Sequence, residues 1–315
     1  MGAKKYFIGK PRYVGPAALA CFITLSTVGC SSAGPGSGTQ REDRAPALVK
    51  SEDLHLPVED YLFSNAEQVR LDEARFKLMG KCLRRLGLNH GIESPGSPPG
   101  PRSLMERRYG ITNEKDAKAV GYRLAETPRP RSLDSQTKSL TAPQKKELMK
   151  ALQGEIGSEA GGGNGIRVNG LPVPEGGCAG EAAEKISGGS GRLGPGKAAR
   201  SANLESWAAS KADQRVARAL GAWSTCMKEK GYSYPDPLIA MSDPGFQEGP
   251  PTSKERRTAL ADIECKRKTN LVGVWFDVES ALQKDMIARE KSDFSAALKL
   301  KNSQLKRAAS VLEIR

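Results

Sequence analysis

Apolar residues recur at the spacing of an amphipathic helix in the first half of the chain. This region opens with the capping box Ser64-x-x-Glu67, in which each side chain satisfies a backbone donor of the other residue. The residues that then fall near one helical face are Leu71, Leu78, Cys82 and Leu86. The pattern predicts a helix from Ser64 to about Leu88, where a Pro- and Gly-rich stretch follows.

The last third of the chain predicts longer helices. One set of apolar positions indicates a helix, or two joined helices, ending at Gly231: Leu204, Trp207, Val216, Leu220, Trp223 and Met227. A second capping box, Thr252 with Glu255, begins a run of apolar positions that contains no proline up to the C-terminal end. We expect one very long amphipathic helix here, straight or kinked, packed antiparallel on the Trp223 helix as a helical hairpin.

Shorter elements are predicted between these regions. Helices should follow Thr112 or Asn113 and again Thr141, and residues 178–186 should form another helix. Residues 154–196 hold 15 of the 34 glycines and therefore indicate a connector. Within it, residues 165–174 are the best strand candidate, although Pro172 and Pro174 interrupt the strand pattern.

The predicted fold class is mainly α. Two helical units, which disulfides would staple, are joined by the Gly-rich connector, and a flexible tether precedes them. The boundaries are a lipoprotein signal peptide at 1–29, a tether at 30–58, an N-terminal helical unit with its Gly/Pro-rich connector at 59–198, and a C-terminal helical hairpin unit at 199–315.

The first 29 residues have the pattern of a secretory leader, with a basic start and an apolar run shorter than the roughly 20 residues of a membrane-spanning helix. The leader ends in "LSTVGCSS", which resembles the lipobox of bacterial lipoproteins, so that Cys30 would carry an acyl lipid such as palmitate. Thr27 stands where that motif usually has Leu. If Thr27 impairs processing, an ordinary signal peptidase would instead cut after Ala33 and the protein would be secreted.

The chain is basic, with a formal net charge of +13. Four of these positive charges lie in the leader, so +9 remain after its removal: Lys4, Lys5, Lys10 and Arg12. Such a charge attracts nucleic acid, anionic lipid or acidic wall polymers alike. The extracytoplasmic location favours the membrane, an envelope protein or an anionic wall polymer as partner, and not nucleic acid.

The cysteines outside the leader and the lipid site number four, an even count that predicts two disulfides in an oxidising compartment: Cys82, Cys178, Cys226 and Cys265. Three connectivities are open. We favour Cys82–Cys178 and Cys226–Cys265, because the second pair would join two helices expected to be neighbours. Zinc and dithiol redox sites usually need a Cys-x-x-Cys spacing, which the chain lacks, and its histidines are two in number, His55 and His90.

Two cysteine-containing stretches, "MGKCLRRLGL" and "WSTCMKEKGY", place a cysteine five residues before a glycine. Both are typical of a helix that ends in a Schellman motif, with Gly87 or Gly231 in the left-handed conformation. Tyr232 would then pack on Met227. We therefore interpret the repeated motif as a stapled helix end rather than as an active site.

Other patterns that can carry chemistry are weak. "GRLGPGKA" at 191–198 matches a phosphate-binding loop except at Ala198, and Ser135 and Ser303 begin isolated Ser-x-x-Lys motifs. Asp277 and Glu279 are interpreted as solvated helix charges, as are the basic residues after Leu298. The prediction is a protein without a catalytic, cofactor-binding or metal site.

Four segments, together with the lipobox-like leader before Cys30, resemble a family of actinobacterial secreted or lipid-anchored proteins: "KCLRRLGL", "PEGGCAGEA", "AWSTCMKEKGYSYPDP" and "ADIECKRKTNLVGVW". The resemblance implies the compartment and the four-cysteine layout and brings no activity with it. We expect a lipid-anchored protein on the extracytoplasmic face of the cell membrane, with a binding or scaffolding role. The alternatives are a solute-binding lipoprotein of a transporter, which an alternation of strands and helices would favour, and a cell-wall-modifying enzyme.

Overall fold

The computed structural model describes residues 50–96, 100–124, 132–154 and 165–313. These residues are mainly helical, as predicted from the sequence. Cys30 and the rest of the predicted leader lie outside the described residues. Within them, no helix combines the length and the apolar character needed to cross a bilayer.

The α-helices of the described residues are α1 Asn65–Arg85, α2 Glu114–Val120, α3 Leu133–Gln136, α4 Ala142–Gln153, α5 Gly177–Ser187, α6 Lys197–Ala212, α7 Gln214–Glu229, α8 Pro237–Met241, α9 Ser253–Thr269, α10 Leu271–Arg289 and α11 Lys291–Glu313. Short 3-10 turns occur at Ser51–Asp53, Pro57–Tyr61 and Pro244–Phe246. The predicted strand segment forms a small antiparallel hairpin of β1 Arg167–Val168 and β2 Leu171–Pro172.

The predicted helix ends are confirmed. The Ser64–Glu67 capping box begins α1, and the Thr252–Glu255 capping box begins α9. At the end of α7 the Tyr232 amide donates to the Met227 carbonyl at 2.9 Å, and Gly231 is left-handed with φ 83°. The end of α1 repeats this arrangement at Gly87, since the Leu88 amide bonds to the Leu83 carbonyl at 2.9 Å.

The predicted long C-terminal helix is divided into three. Asn270 adopts a left-handed conformation, with φ 48° and ψ 31°, between α9 and α10. Asparagine visits this region more readily than most residues, so the break needs no glycine. A second break at Glu290 separates α10 from α11, which is the longest of the three at 23 residues. Periodicity alone missed both breaks because the apolar positions continue through them.

The largest part of the core surrounds the buried side chains of Trp223, Trp275 and Tyr109. Helix α7 packs there against both α9 and α10. Its contacts run antiparallel, from Arg215 beside Asp277 at its start to Lys230 beside Glu264 near its end: the former pair is separated by 3.6 Å and the latter by 2.7 Å. The predicted pairing of the Trp223 helix with the C-terminal helices is therefore confirmed.

A second apolar cluster surrounds Cys82 and Cys178, where α1, α4 and α5 meet. Helix α1 also packs along α11, which lies at the other end of the chain. The predicted units 59–198 and 199–315 thus share a large contact, and their predicted boundary falls in the first turn of α6.

The predicted tether, 30–58, extends too far. Leu56 and Val58 are fully buried in the main core, and Ser51 is buried against Thr112, with 2.8 Å between the two hydroxyl oxygens. The low hydrophobicity and the Gly, Ser and Pro content that predict a tether belong to residues 31–51. Tertiary contacts, rather than local periodicity, order Leu56 and Val58.

Candidate functional site

The four cysteines of the described residues form two disulfides, Cys82–Cys178 and Cys226–Cys265, as favoured from the sequence. The Cα–Cα distances are 5.6 and 5.7 Å, which are ordinary for disulfides. All four side chains are buried, with at most 4% exposed. Burial removes them from exchange with external thiols and indicates a structural role.

Each disulfide is accompanied by an ion pair three residues further along both helices. Arg85 pairs with Glu181 beside Cys82–Cys178, and Lys268 pairs with Glu229 at 3.3 Å beside Cys226–Cys265. The side chains of Arg85, Lys268 and Glu229 are more than half exposed, so each pair contributes little to stability. The repeated arrangement is built around the covalent link and not around a reactive group.

The weak sequence motifs have structural roles. The loop at 191–196 follows helix α5 rather than a strand, and Gln304 fixes it by bonding both the amide and the carbonyl of Gly194, each at 3.1 Å. The hydroxyl of Ser135 donates to the Ser132 carbonyl, and that of Ser303 donates to the Leu300 carbonyl. These local bonds explain the motifs without a ligand.

The interpretation of Glu279 as a solvated charge is wrong. Its side chain is fully buried, whereas Asp277 on the same helix is half-buried and contacts Arg215. Glu279 forms a salt bridge with Arg108 and accepts hydrogen bonds from Tyr109 at 2.7 Å and from Ser206 at 3.0 Å. Its carboxylate is therefore saturated with donors and holds the 100–112 segment on α6 and α10.

A second correction concerns the basic C-terminal residues. The side chain of Lys301 is largely buried, its ammonium donates to the Asp60 carbonyl at 3.2 Å, and it pairs with Glu67 at the same distance. Lys301 therefore ties α11 to the start of α1 instead of facing solvent.

Two further buried carboxylates have partners of their own. Glu255 accepts from the Tyr122 amide at 3.2 Å and from the Arg123 guanidinium at 3.4 Å. Asp262 pairs with Lys266 at 2.9 Å, deep in the core. Burial raises the pKa of Asp262 and lowers the pKa of Lys266, and the attraction between the two opposes both shifts.

Three carboxylates lie close enough to one another to suggest a cation site, with oxygens within 4.8 Å: Glu52, Glu106 and Asp116. The guanidinium of Arg102 already contacts all three, at 3.4, 2.7 and 2.8 Å respectively. Burial by itself would raise the pKa of Glu106, but the hydrogen bonds and charge of Arg102 outweigh burial and hold that pKa below its ordinary value. Arg102 thus supplies the positive charge of this cluster.

Arg107 differs from its neighbours in having no salt bridge to a described carboxylate. Its two terminal nitrogens donate to the carbonyls of Tyr122 at 3.1 Å and Arg123 at 2.8 Å. The remaining nitrogen, Nε, is buried without a partner. Burial lowers the pKa of Arg107 from its ordinary value, because a half-buried positive charge is poorly solvated.

Two open cavities meet at Arg107. One, of about 440 Å³, is lined by Tyr122, Phe246 and Met241, and the rings of Tyr122 and Phe246 stack with centroids 5.8 Å apart. The other, of about 320 Å³, is lined by the apolar residues Leu104, Leu204, Trp207 and Leu238. We call the combined surface the Arg107 groove, defined by Arg107, Tyr122, Phe246, Met241, Leu204, Trp207 and Leu238.

The Arg107 groove concentrates exposed apolar side chains. Five large apolar residues of the described chain are exposed, and two of them line these cavities. Leu204 is 70% exposed in the cavity lined by Trp207, and Leu124 is 38% exposed in the cavity lined by Tyr122. Exposed apolar residues on both sides of a cation that has no ion pair are typical of a binding surface.

Sequence reasoning did not find this surface. It placed Leu204 and Trp207 on the apolar face of a helix, whereas Leu204 points into solvent and Trp207 is half-buried. Arg107 belongs to a segment without helical periodicity, and its lack of a carboxylate depends on which side chains the fold brings near it. No signal in the sequence separates Arg107 from Arg108, which pairs with Glu279.

Two other open cavities occur in the described residues. One of about 630 Å³ includes His55, whose Nε2 lies 2.8 Å from an Asp60 carboxylate oxygen. The other, of about 600 Å³, lies between α6 and α11 and has Lys197, Glu205, Glu290 and Asp293 on its walls. The charged groups of both cavities are mixed in sign, and neither cavity is lined by the exposed leucines seen at the Arg107 groove.

Comparison of the chain with protein-family models, curated proteins and solved structures finds no match. The resemblance to actinobacterial secreted or lipid-anchored proteins therefore stays a prediction.

Proposed function

We propose that the protein is lipid-anchored through Cys30 on the extracytoplasmic face of the cell membrane and serves there as a binding or scaffolding protein. The observation that carries the proposal is the pairing of all four cysteines of the described chain in two buried disulfides. Disulfides persist in oxidising compartments and are rare in the cytosol of most organisms. The Arg107 groove supports the binding role.

The buried polar groups support a structural role over a catalytic one. Glu279, Glu255 and Asp262 each have a cationic partner inside the fold. A general acid or base must reach a substrate proton, and these three carboxylates are enclosed by side chains that use their oxygens. We therefore propose that the fold serves to present a rigid binding surface.

The anchoring is tested by expressing the chain in a bacterial host with a lipoprotein pathway and measuring the intact mass of the membrane fraction. The expected product begins at Cys30 and carries an acyl adduct. Cys30→Ser should release the protein from the membrane fraction, while Cys21→Ser, within the predicted leader, should leave anchoring unchanged. A mature chain that begins at Gly34, or one without an acyl adduct, would contradict anchoring.

The scaffolding role is tested separately by cross-linking in intact cells, followed by purification through the anchored protein. An envelope protein or a wall polymer should be recovered reproducibly from wild-type cells. Recovery of neither would count against scaffolding even if the lipid on Cys30 were confirmed.

A further inference from the structure

We propose that the Arg107 groove binds an apolar peptide segment of a partner protein, with an acidic side chain of that segment seated on Arg107. This inference rests on the proposed binding function and names the chemistry of its partner. Arg107 lies between the two cavities, so apolar residues on both sides of the acidic residue would enter one cavity each.

The proposal that the bound peptide has an acidic residue follows from the charges around the groove. The other arginines around the groove already have carboxylates: Arg102 has three, Arg108 has Glu279, and Arg123 has Glu255. Arg107 has carbonyl partners for its terminal nitrogens but no described carboxylate within ion-pair distance. Glu106, Asp116 and Glu52 act on its charge from further away, and the guanidinium of Arg102 contacts all three directly. A carboxylate brought by a ligand would form the charge-assisted contact that the fold itself does not provide.

The shape of the groove favours a peptide over a compact ligand. Both cavities are open to solvent and share Arg107 in their lining, and each has one exposed leucine, Leu124 in one and Leu204 in the other. A peptide can span both cavities and cover these residues together. An anionic lipid surface fits less well, because Lys211 beside Trp207 is paired with Asp236 at 3.1 Å, which leaves few free positive charges on this face.

The test uses the full protein, purified in detergent with both disulfides intact, and a random library of displayed 12-residue peptides as the probe. Enriched peptides should share an acidic residue flanked by apolar residues. For one enriched peptide, Arg107→Gln should weaken binding about tenfold or more, as expected for loss of a hydrogen bond between charged groups. The analogue with Gln in place of its acidic residue should bind about as weakly, and Arg107→Gln should weaken that analogue little further.

Matched variants control for the loss of an arginine or a leucine elsewhere on the surface. Arg70→Gln alters an exposed arginine on α1, and Leu298→Ser alters an exposed leucine on α11; neither should change peptide affinity. Leu204→Ser should weaken binding without loss of the fold, because Leu204 is 70% exposed. Trp207 fluorescence provides a direct readout, since Trp207 is the tryptophan that lines the groove, while Trp223 and Trp275, whose ring stacks on that of Trp207, are fully buried.

Several outcomes would overturn the proposal. These are the enrichment of no peptide, enrichment of peptides without an acidic residue, or an effect of Arg107→Gln no larger than that of Arg70→Gln. Binding of decanoate or of phosphatidylglycerol vesicles in place of any peptide would assign the groove to an amphiphile and also overturn it. The assay does not depend on Cys30, so its failure leaves the result on lipid anchoring standing.

Discussion

Replacing Glu279 by Gln should destabilise the fold far more than the same kind of change at Asp277, two residues away on α10. Glu279 is fully buried, and the change leaves Arg108 without its carboxylate. Removing one partner of a buried ion pair costs about 3–5 kcal/mol of unfolding free energy. We expect the lower end, about 3 kcal/mol, because Arg108 keeps two bonds to Asn203, at 2.8 and 2.9 Å.

The measurement is urea-induced unfolding followed by circular dichroism at 222 nm, with both disulfides intact. Asp277→Asn is the control: Asp277 is 34% exposed, its oxygen lies 3.6 Å from Arg215, and such a pair contributes less than about 1 kcal/mol. If Glu279→Gln cost no more than Asp277→Asn, the assignment of Glu279 as the buried anchor of the 100–112 segment would be refuted.

Three other changes test the fold. Replacing both Cys226 and Cys265 by Ser should lower the unfolding free energy by about 4 kcal/mol, from the 39-residue separation, and a loss below about 1 kcal/mol in urea unfolding would contradict this. Gly231→Ala should lower the unfolding free energy by about 1–2 kcal/mol, because φ is 83° there although no atom lies within 4 Å of the added Cβ. Gly177→Ala should lower it more, because the added Cβ would also overlap the carbonyl of residue 152, and equal melting temperatures for the two variants would refute the comparison. Because the pKa of Glu106 is lowered, its ionised form stabilises the fold at neutral pH, and this contribution is lost as the pH falls through the lowered pKa. Glu106→Gln should therefore flatten the dependence of the urea midpoint on pH between about pH 5 and about pH 3. An unchanged slope would count against this role of Glu106.

The helical class and the helix ends were accessible from the sequence because local rules act there. The Ser64–Glu67 and Thr252–Glu255 boxes and the Gly231 termination depend on residues within a few positions of one another. The disulfide pairing was accessible for a related reason: Cys226 and Cys265 lie on two long helices that could be expected to pack together.

The division of the C-terminal helix into three was harder to predict from the sequence. The apolar pattern continues through Asn270, and the left-handed conformation of this residue separates α9 from α10, both of which pack against α7. The burial of Leu56 and Val58 could not be predicted from apolar periodicity either, because a short segment becomes part of the core only when distant helices cover it.

The helical class and the capped helix ends follow from the sequence alone, since short-range hydrogen bonding and apolar periodicity specify them. The expected packing of two helices favoured one of the three possible cysteine connectivities. The sequence also predicts the lipid site at Cys30. Only the tertiary structure decided that Glu279 is buried, that Asp277 is not, and that Arg107 is left without a carboxylate between two apolar cavities. The physical reason is that the state of a charged side chain depends on which distant groups surround it, and chain position does not encode that environment locally.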